Sequence, residues 1–104
     1  MDETSPSSAQ APLPDVLDAR RRRLLFRANH RGTHENDLLV GLYVQSRIAS
    51  FTDAELDALE EVLELPDVEL ADWLTGRKPI PPEVDTPMLR AIQQAAQERA
   101  ERRR

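Results

Sequence analysis

The sequence predicts a small all-α domain built from five short helices. Apolar residues recur at helical spacing in five separate segments, and no segment gives a clear strand signal. Helix-capping residues, prolines and glycines separate these segments where helices are expected to begin and end. The chain has 104 residues and no cysteine, so we expect one domain without disulfides or thiolate metal sites.

The first helix is predicted to follow a disordered tail over residues 1–14, which is rich in Ser, Pro and Ala. The folded domain is therefore assigned to residues 15–98, with Asp15 as the N-cap of the first helix and Asp18 in its first turn. Gly32 ends this helix. Its sequence has Leu17, Arg21, Leu24 and Ala28 at helical spacing, with Leu25 beside them. The stems of Arg20–Arg23 are expected to lie along the helix while their charged heads stay in water.

The second helix is predicted from Asn36 to Ala49. Its core, LLVGLYV, could also be a buried strand, because periodicity does not decide a short apolar run. Leucine dominates the run and β-branched residues are few, which favours a helix. Gly41 would allow a neighbouring helix to pack closely against it.

The third helix has the clearest local signals. Thr52 and Glu55 have the spacing of a capping box, while Phe51 and Leu56 occupy the positions of a hydrophobic staple. Pro66 ends this helical segment.

The last two helices are predicted from their terminal residues. Asp67 is expected to cap the fourth helix, Trp73 to face the core and Gly76 to stop the helix. A proline-rich connector, KPIPP, follows. Thr86 caps the fifth helix, which ends in a polar tail assigned to residues 99–104.

Charge is distributed unevenly along the chain, whose formal net charge is −5. Arginines crowd residues 20–31, whereas residues 52–75 contain nine acids and no Lys or Arg. This arrangement suits an oriented encounter with a protein better than binding to nucleic acid. The acidic N-terminus is unlike a secretory signal or a mitochondrial leader, and no apolar run approaches the ~18 residues of a membrane span. We therefore expect a soluble protein of the bacterial cytoplasm.

The motif HRGTHE, residues 30–35, is the candidate functional site. His30 and His34 are four residues apart, but Gly32 separates them and the chain has no third histidine, so we expect no metal site. No nucleophile or tuned base accompanies the motif, so we expect no catalytic residue and no enzyme activity. The helix after Gly32 is too apolar for a DNA-recognition helix.

Two interpretations of the motif remain open from the residues alone. As a docking surface, Arg31 would supply a planar guanidinium, Glu35 a fixed acceptor, and Gly32 room for close approach of a partner. Alternatively, Gly32 is only a helix stop, Arg31 is solvated, and Glu35 is a favourable first-turn acid.

A resemblance to a known family favours docking. The stretch RRRRLLFRANHRGTHENDLLVGLYV, the acidic helix, DVELADWLTG and the proline-rich connector resemble the FAD assembly factors of succinate dehydrogenase, the assembly factor 2 type. The family hallmark RGxxE corresponds to Arg31, Gly32 and Glu35, followed by a matching DLL that begins at Asp37. The resemblance covers about residues 20–93. Thr33 departs from the usual methionine and His30 from an often basic residue.

The resemblance implies a chaperone without catalytic activity and without a cofactor of its own. Such a factor binds the flavoprotein subunit of succinate dehydrogenase or fumarate reductase and promotes covalent attachment of the FAD that the subunit carries. The implied partner-binding residues are Arg31, Gly32 and Glu35, with His30, Thr33, His34 and Asp37 beside them. We expect a monomer that binds no nucleic acid and does not insert into a membrane. The alternative is a small helical regulator, such as an antitoxin or a nucleic-acid-associated adaptor.

Overall fold

A computed structural model describes residues 17–102, which form five α-helices and two short 3-10 turns. The prediction of a five-helix, all-α domain is confirmed. The helices are α1 (Ala19–Asn29), α2 (His34–Arg47), α3 (Asp53–Leu63), α4 (Asp67–Thr75) and α5 (Pro87–Arg102). The 3-10 turns, Ile48–Ser50 and Pro82–Val84, lie between α2 and α3 and between α4 and α5. The prediction for residues 1–14 concerns residues outside those described.

Helix α1 begins later than the sequence predicted. Asp18 is its N-cap, and the carboxylate accepts a hydrogen bond from the Arg21 backbone N–H at 2.8 Å. This bond holds the pKa of the Asp18 carboxyl below its usual value. Asp15, the predicted cap, lies outside the described residues. Both positions offer an aspartate before a helical segment, so local capping preference alone could not choose between them.

Helix α2 is the helix on which α1 packs most closely. A Cβ atom at Gly41 would overlap the side-chain oxygen of Asn29 and lie 3.3 Å from the carbonyl oxygen of Ala28. The predicted close approach at Gly41 is therefore confirmed. The helix begins at His34, two residues before the predicted start, because Thr33 caps it.

Of the caps predicted for the starts of α3 and α4, the first is confirmed and the second is wrong. The capping box of Thr52 and Glu55 is present, with side-chain to backbone distances of 2.8 and 3.1 Å. Asp67, however, does not cap α4. Pro66 occupies the N-cap position and makes no side-chain bond, while Asp67 is the first helical residue. Its carboxylate binds Arg31 instead.

Both ends of the α4–α5 connection follow the sequence prediction. Gly76 ends α4 in the left-handed conformation with φ of +82°. Thr86 Oγ1 accepts a hydrogen bond from the Leu89 backbone N–H at 3.2 Å, so it caps α5. The helix continues through Arg102, further into the segment that was assigned to a polar tail.

The apolar core lies where all five helices meet. Trp73 is buried, with 8% of its surface exposed, as predicted, and its carbonyl oxygen accepts a hydrogen bond from Gln93 at 2.9 Å. Helix α5 packs against α2, α3 and α4, and so closes the core. Burial of large apolar side chains is the main source of stability. The largest fully buried apolar side chains are Ile48, Leu56, Leu59, Leu70, Leu74, Leu89 and Ile92.

The arginines of α1 are less solvated than the sequence predicted. Arg20 binds Asp57 and Glu60 of α3 at 2.5 and 3.1 Å. Arg27 binds Glu64 at 2.7 Å. The Arg21 guanidinium reaches the carbonyl oxygens of the α2–α3 connection, at 3.0 Å from that of Ile48 and 2.5 Å from that of Phe51. The basic and acidic segments of the sequence therefore meet each other within the fold, which reduces the charge separation available to an external partner.

We predict that Thr52→Ala destabilises the fold by about 1 kcal/mol, because the third helix loses the acceptor for its Glu55 N–H. Thr52→Ser, which keeps the hydroxyl, is the matched control and should change stability by less than about half as much. Chemical denaturation monitored by circular dichroism measures both free energies. Equal stability of the alanine variant and the native chain would contradict the proposed start of α3.

Candidate functional site

The HRGTHE motif forms the junction between α1 and α2. Gly32 lies at its centre with φ of +106°, a conformation that L-residues rarely adopt. A Cβ atom built on Gly32 would have no atom within 4 Å apart from those of Gly32 and its two chain neighbours. The glycine is therefore required by backbone conformation, while the space outside it is open to an approaching molecule.

Two side chains fix the backbone on either side of Gly32. Thr33 is the N-cap of α2, and its hydroxyl accepts a hydrogen bond from the Asn36 N–H at 3.2 Å. The Asp37 carboxylate accepts a hydrogen bond from the Arg31 backbone N–H at 2.6 Å. These two hydrogen bonds restrain the backbone on both sides of Gly32 and so hold its conformation.

The side chain of Arg31 points into the molecule, and only 8% of it is exposed. Its Nε lies 3.0 Å from Asp67 Oδ1, and its Nη2 lies 2.8 Å from the same oxygen. Nη2 also donates to the Leu65 carbonyl oxygen at 2.7 Å, and Nη1 donates to that of Leu63. The guanidinium therefore satisfies carbonyl groups that the end of α3 leaves without helical partners. It also neutralises an acid at the start of α4.

Asn36 makes a second connection beside Arg31. It is fully buried, and its Nδ2 donates to the Asp67 carbonyl oxygen at 2.8 Å. Two side chains from the α1–α2 junction therefore bind the same residue at the start of α4. We call the set Arg31, Asn36 and Asp67 the inner clasp.

The outer side of the junction carries exposed charged and aromatic groups. Glu35, in the first turn of α2, lies 3.4 Å from Arg77 Nη2, and each of these two side chains is about half exposed. Arg77 also binds Asp72 at 3.0 Å, and this hydrogen bond holds the pKa of the Asp72 carboxyl below its usual value. Because the Glu35–Arg77 contact is long and solvated, both groups can exchange it for a partner at low cost.

An aromatic pair extends this outer side along α1. The ring of Phe26 is stacked on that of His30 with centroids 4.0 Å apart. His30 Nδ1 lies 2.7 Å from the Phe26 carbonyl oxygen, which holds the imidazole in place. Phe26 is 63% exposed, and a large exposed aromatic side chain is a common centre of protein contact. We call Phe26, His30, Gly32, His34, Glu35 and Arg77 the junction surface.

The structure divides the predicted site residues into an inner and an outer group. Gly32, His30, His34 and Glu35 are exposed, as the docking interpretation required. Arg31 was expected to present its guanidinium to a partner, and this expectation needs correction, because its own chain already surrounds that group. Thr33 and Asp37 shape the backbone instead.

The sequence interpretation missed four residues that the structure adds to the site. Asn36 and Asp67 contact each other across 31 positions, so no local pattern indicates their pairing. Arg77 approaches Glu35 from 42 residues away. Only Phe26 had a local signal, since its spacing of four residues from His30 places the two side chains on one helical face.

The junction surface offers contacts to another molecule. Within residues 17–102, no group of three or more potential metal ligands converges on one point. None of the helices in that range combines the length and the apolar character needed to cross a membrane. At Gly32 the junction surface lets another molecule approach the backbone closely. An exposed acid, an exposed base and an exposed aromatic ring lie around this position.

Comparison with known proteins finds one family model and several curated relatives. The family model described as "Flavinator of succinate dehydrogenase" matches residues 22–96. The chain is 54% identical over 89 residues to the FAD assembly factor SdhE of Acetobacter pasteurianus, which covers 86% of this chain and 82% of that protein. No solved structure matches the chain at a significant level.

Mitochondrial proteins are more distant relatives. Identity is 41% over 67 residues to succinate dehydrogenase assembly factor 2 of Mycosarcoma maydis, covering 64% of this chain and 28% of that protein. Identity is 33% over 82 residues to succinate dehydrogenase assembly factor 2-A of Drosophila ananassae, covering 77% of this chain and 53% of that protein. The chain thus spans most of the bacterial relative and about half or less of these mitochondrial ones.

We predict that Arg31→Lys destabilises the fold by roughly 2–3 kcal/mol. A lysine can keep one contact with Asp67 but cannot also serve the carbonyl oxygens of Leu63 and Leu65, which then lack a donor. Arg23→Lys, at an exposed position of α1, is the matched control and should remain within about 0.5 kcal/mol of the native chain. Urea denaturation measures both, and a native-like stability of Arg31→Lys would refute the inner clasp.

Proposed function

Since the chain belongs to the family of flavinators of succinate dehydrogenase, we propose that it binds the flavoprotein subunit of that enzyme and promotes its covalent flavinylation. The observation that carries the proposal is the junction surface. Its glycine is open to close approach, and the inner clasp holds its backbone from behind. A surface fixed before binding loses little conformational entropy when a partner docks.

The inner and outer residues have different roles in this proposal. Gly32 and Glu35 contact the flavoprotein directly, and His30 and His34 lie beside them. Arg31, Thr33 and Asp37 act through the backbone, because their side chains already bind this chain. Arg31 was expected to supply the positive charge beside the Glu35 acceptor at the interface. Arg77, the exposed base next to Glu35, takes that role instead.

The factor promotes flavinylation by selecting a conformation of its partner. A binding protein can shift a conformational equilibrium only by its difference in affinity for the two states. The chain therefore binds more tightly to the arrangement in which FAD and the attachment residue of the subunit are in contact, and proximity accelerates the bond. On this account the chain performs no catalysis and carries no cofactor of its own, and the FAD belongs to the partner.

We propose that the chain is a monomer of the bacterial cytoplasm, that it binds no nucleic acid, and that the flavoprotein subunit of fumarate reductase is a second partner. The bacterial relative at 54% identity supports this setting. The arginines of α1 support the absence of nucleic acid, because Arg20 and Arg27 are neutralised by acids of α3.

Covalent flavin measured in cells tests the proposed function. The flavoprotein subunits of succinate dehydrogenase and of fumarate reductase are isolated from strains with and without this gene, denatured, and examined for flavin fluorescence. Loss of fluorescence in the deletion strain, with restoration by the native chain, is expected. Equal fluorescence in both strains, or copurification of the chain with RNA or DNA instead of a flavoprotein, would exclude the proposal.

Substitution of Gly32 separates contact from backbone strain. Gly32→Ala and Gly32→Arg share the cost of placing a side chain at φ of +106°, about 1–3 kcal/mol. Only the arginine extends into the open space where the partner approaches. We predict that Gly32→Arg binds the flavoprotein at least about a hundredfold more weakly than Gly32→Ala, a difference of ~2.8 kcal/mol. Calorimetric titration measures affinity, and equal affinity of the two variants would remove Gly32 from the interface.

Substitution of Glu35 tests the charged part of the surface. Glu35→Ala removes an exposed first-turn acid, so its effect on stability should not exceed about 0.5 kcal/mol. We predict at least about tenfold weaker flavoprotein binding, with Glu61→Ala on the exposed side of α3 as a control that binds normally. Native-like affinity of Glu35→Ala would show that its carboxylate makes no useful contact.

A further inference from the structure

A groove between α2 and α5 lies outside the HRGTHE motif. Leu39, Leu42 and Tyr43 of α2 line one side, and Ala95 and Ala96 of α5 line the other. The groove has a volume of about 340 Å³. It is large enough for one or two side chains. Most of its exposed lining is polar, but Leu39, Leu42 and Tyr43 form an apolar patch on which an apolar side chain can bury surface.

Three arginines stand at the rim of this groove. They are Arg47 at the end of α2 and Arg99 and Arg102 near the end of α5. Among residues 17–102, no carboxylate oxygen lies within the 4.0 Å of an ion pair from any of them. Glu98 is the single acid lining the groove. By contrast, Arg20, Arg27, Arg77 and Arg90 each have a carboxylate partner.

One of the rim arginines is already partly ordered. The Arg47 guanidinium lies 5.2 Å from the centroid of the Tyr43 ring, within the range of a cation–π contact. This contact restrains the arginine while leaving its N–H donors available to an acceptor. The rim therefore presents cationic groups at the edge of an apolar floor, and the complementary ligand has carboxylates next to an apolar side chain.

We propose that this groove binds an acidic segment of the flavoprotein subunit that carries at least one large apolar side chain. The inference rests on the proposed function, and it adds a second contact to the junction surface. The overall charge of the chain favours this occupant over a polyanion. With a formal net charge of −5, the molecule as a whole repels nucleic acid and anionic membranes, whereas a short acidic peptide segment meets only the local cationic rim.

The groove is close enough to the junction surface for one partner to cover both. Glu35 and Leu42 are seven residues apart on α2, so they lie on the same helical face about 10 Å apart. On the other side, Gln97 of α5 lies next to Gly76, which directly precedes Arg77. An ordinary interface of about 800 Å² per partner spans this distance.

Charge reversal at the rim tests the proposal. The double variant Arg99→Glu/Arg102→Glu is compared with Arg90→Glu, which makes a single charge reversal on α5 away from the groove. Affinity for the purified flavoprotein subunit is measured at low and high salt, and melting curves are recorded for each variant. We expect the double variant to bind at least about tenfold more weakly with a reduced dependence on salt, and Arg90→Glu to bind within about twofold of the native chain.

Leu42→Asp provides a second variant that does not touch the rim. It places an acid on the apolar floor and should also weaken binding about tenfold. If the native chain binds the flavoprotein and both groove variants bind as well as Arg90→Glu, the groove is not a contact and the junction surface alone accounts for binding. If the native chain does not bind the subunit at all, the proposed function fails together with this inference.

Two further probes identify a different occupant. A single-stranded RNA oligonucleotide and phosphatidylserine vesicles are tested against the native chain and the double variant. Absence of binding to both probes supports the acidic-peptide assignment. Binding of either probe that is lost in the double variant, with flavoprotein affinity unchanged, would overturn it in favour of that ligand.

Discussion

The interaction on which the functional surface depends is the burial of the Arg31 guanidinium against the start of α4. The hydrogen bonds of this one side chain join the α1–α2 junction to the α3–α4 turn. Their acceptors lie 32 to 36 residues after Arg31 in the sequence. A charge with so little exposure is costly to bury unless it is paired and its donors are satisfied. Asp67 supplies the opposite charge, and two carbonyl oxygens accept hydrogen bonds from the guanidinium. The four helices that form the junction and the turn are therefore fixed relative to one another.

This constraint gives neighbouring residues of one motif opposite roles. Arg31 faces inward and determines where the junction lies, whereas Gly32 faces outward and determines how closely another molecule can approach. Thr33 and Asp37 hold the backbone between them, and Glu35 completes the outer face. A defect at Arg31 should therefore appear first as lost stability, and a defect at Gly32 or Glu35 as lost binding. Measurements of function alone do not distinguish these causes.

Local signals in the sequence were sufficient for most of the fold. The capping box at Thr52, the left-handed glycine at Gly76 and the cap at Thr86 are determined by residues within four positions of each other, and all three are present. Local signals failed where a distant residue binds the side chain that a local pattern assigns to a cap. Asp67 sits where a cap is expected, but Arg31 recruits its carboxylate from a distant segment.

The sequence indicated which segment forms the candidate site, but not how its side chains are oriented or which distant residues they contact. The exposure of Gly32 and Glu35 follows from a helix break, which a sequence reveals. The inward turn of Arg31, its bonds to Leu63 and Leu65, and the approach of Arg77 to Glu35 require the tertiary arrangement of α2, α3 and α4. For the same reason the arginine-rich segment of α1 resembled a solvated face, although the acids that neutralise it lie about forty residues away in α3.

Hydrogen–deuterium exchange with and without the flavoprotein subunit shows whether the Gly32–Glu35 segment lies in the interface. In the free chain, the His34 and Glu35 amides lie in the first turn of α2, where they have no helical acceptor and exchange quickly. We expect the flavoprotein to slow exchange strongly over residues 32–35 and to leave the exposed first turn of α3 unchanged. Protection confined to α3, with residues 32–35 still exchanging at the rate of the free chain, would contradict it.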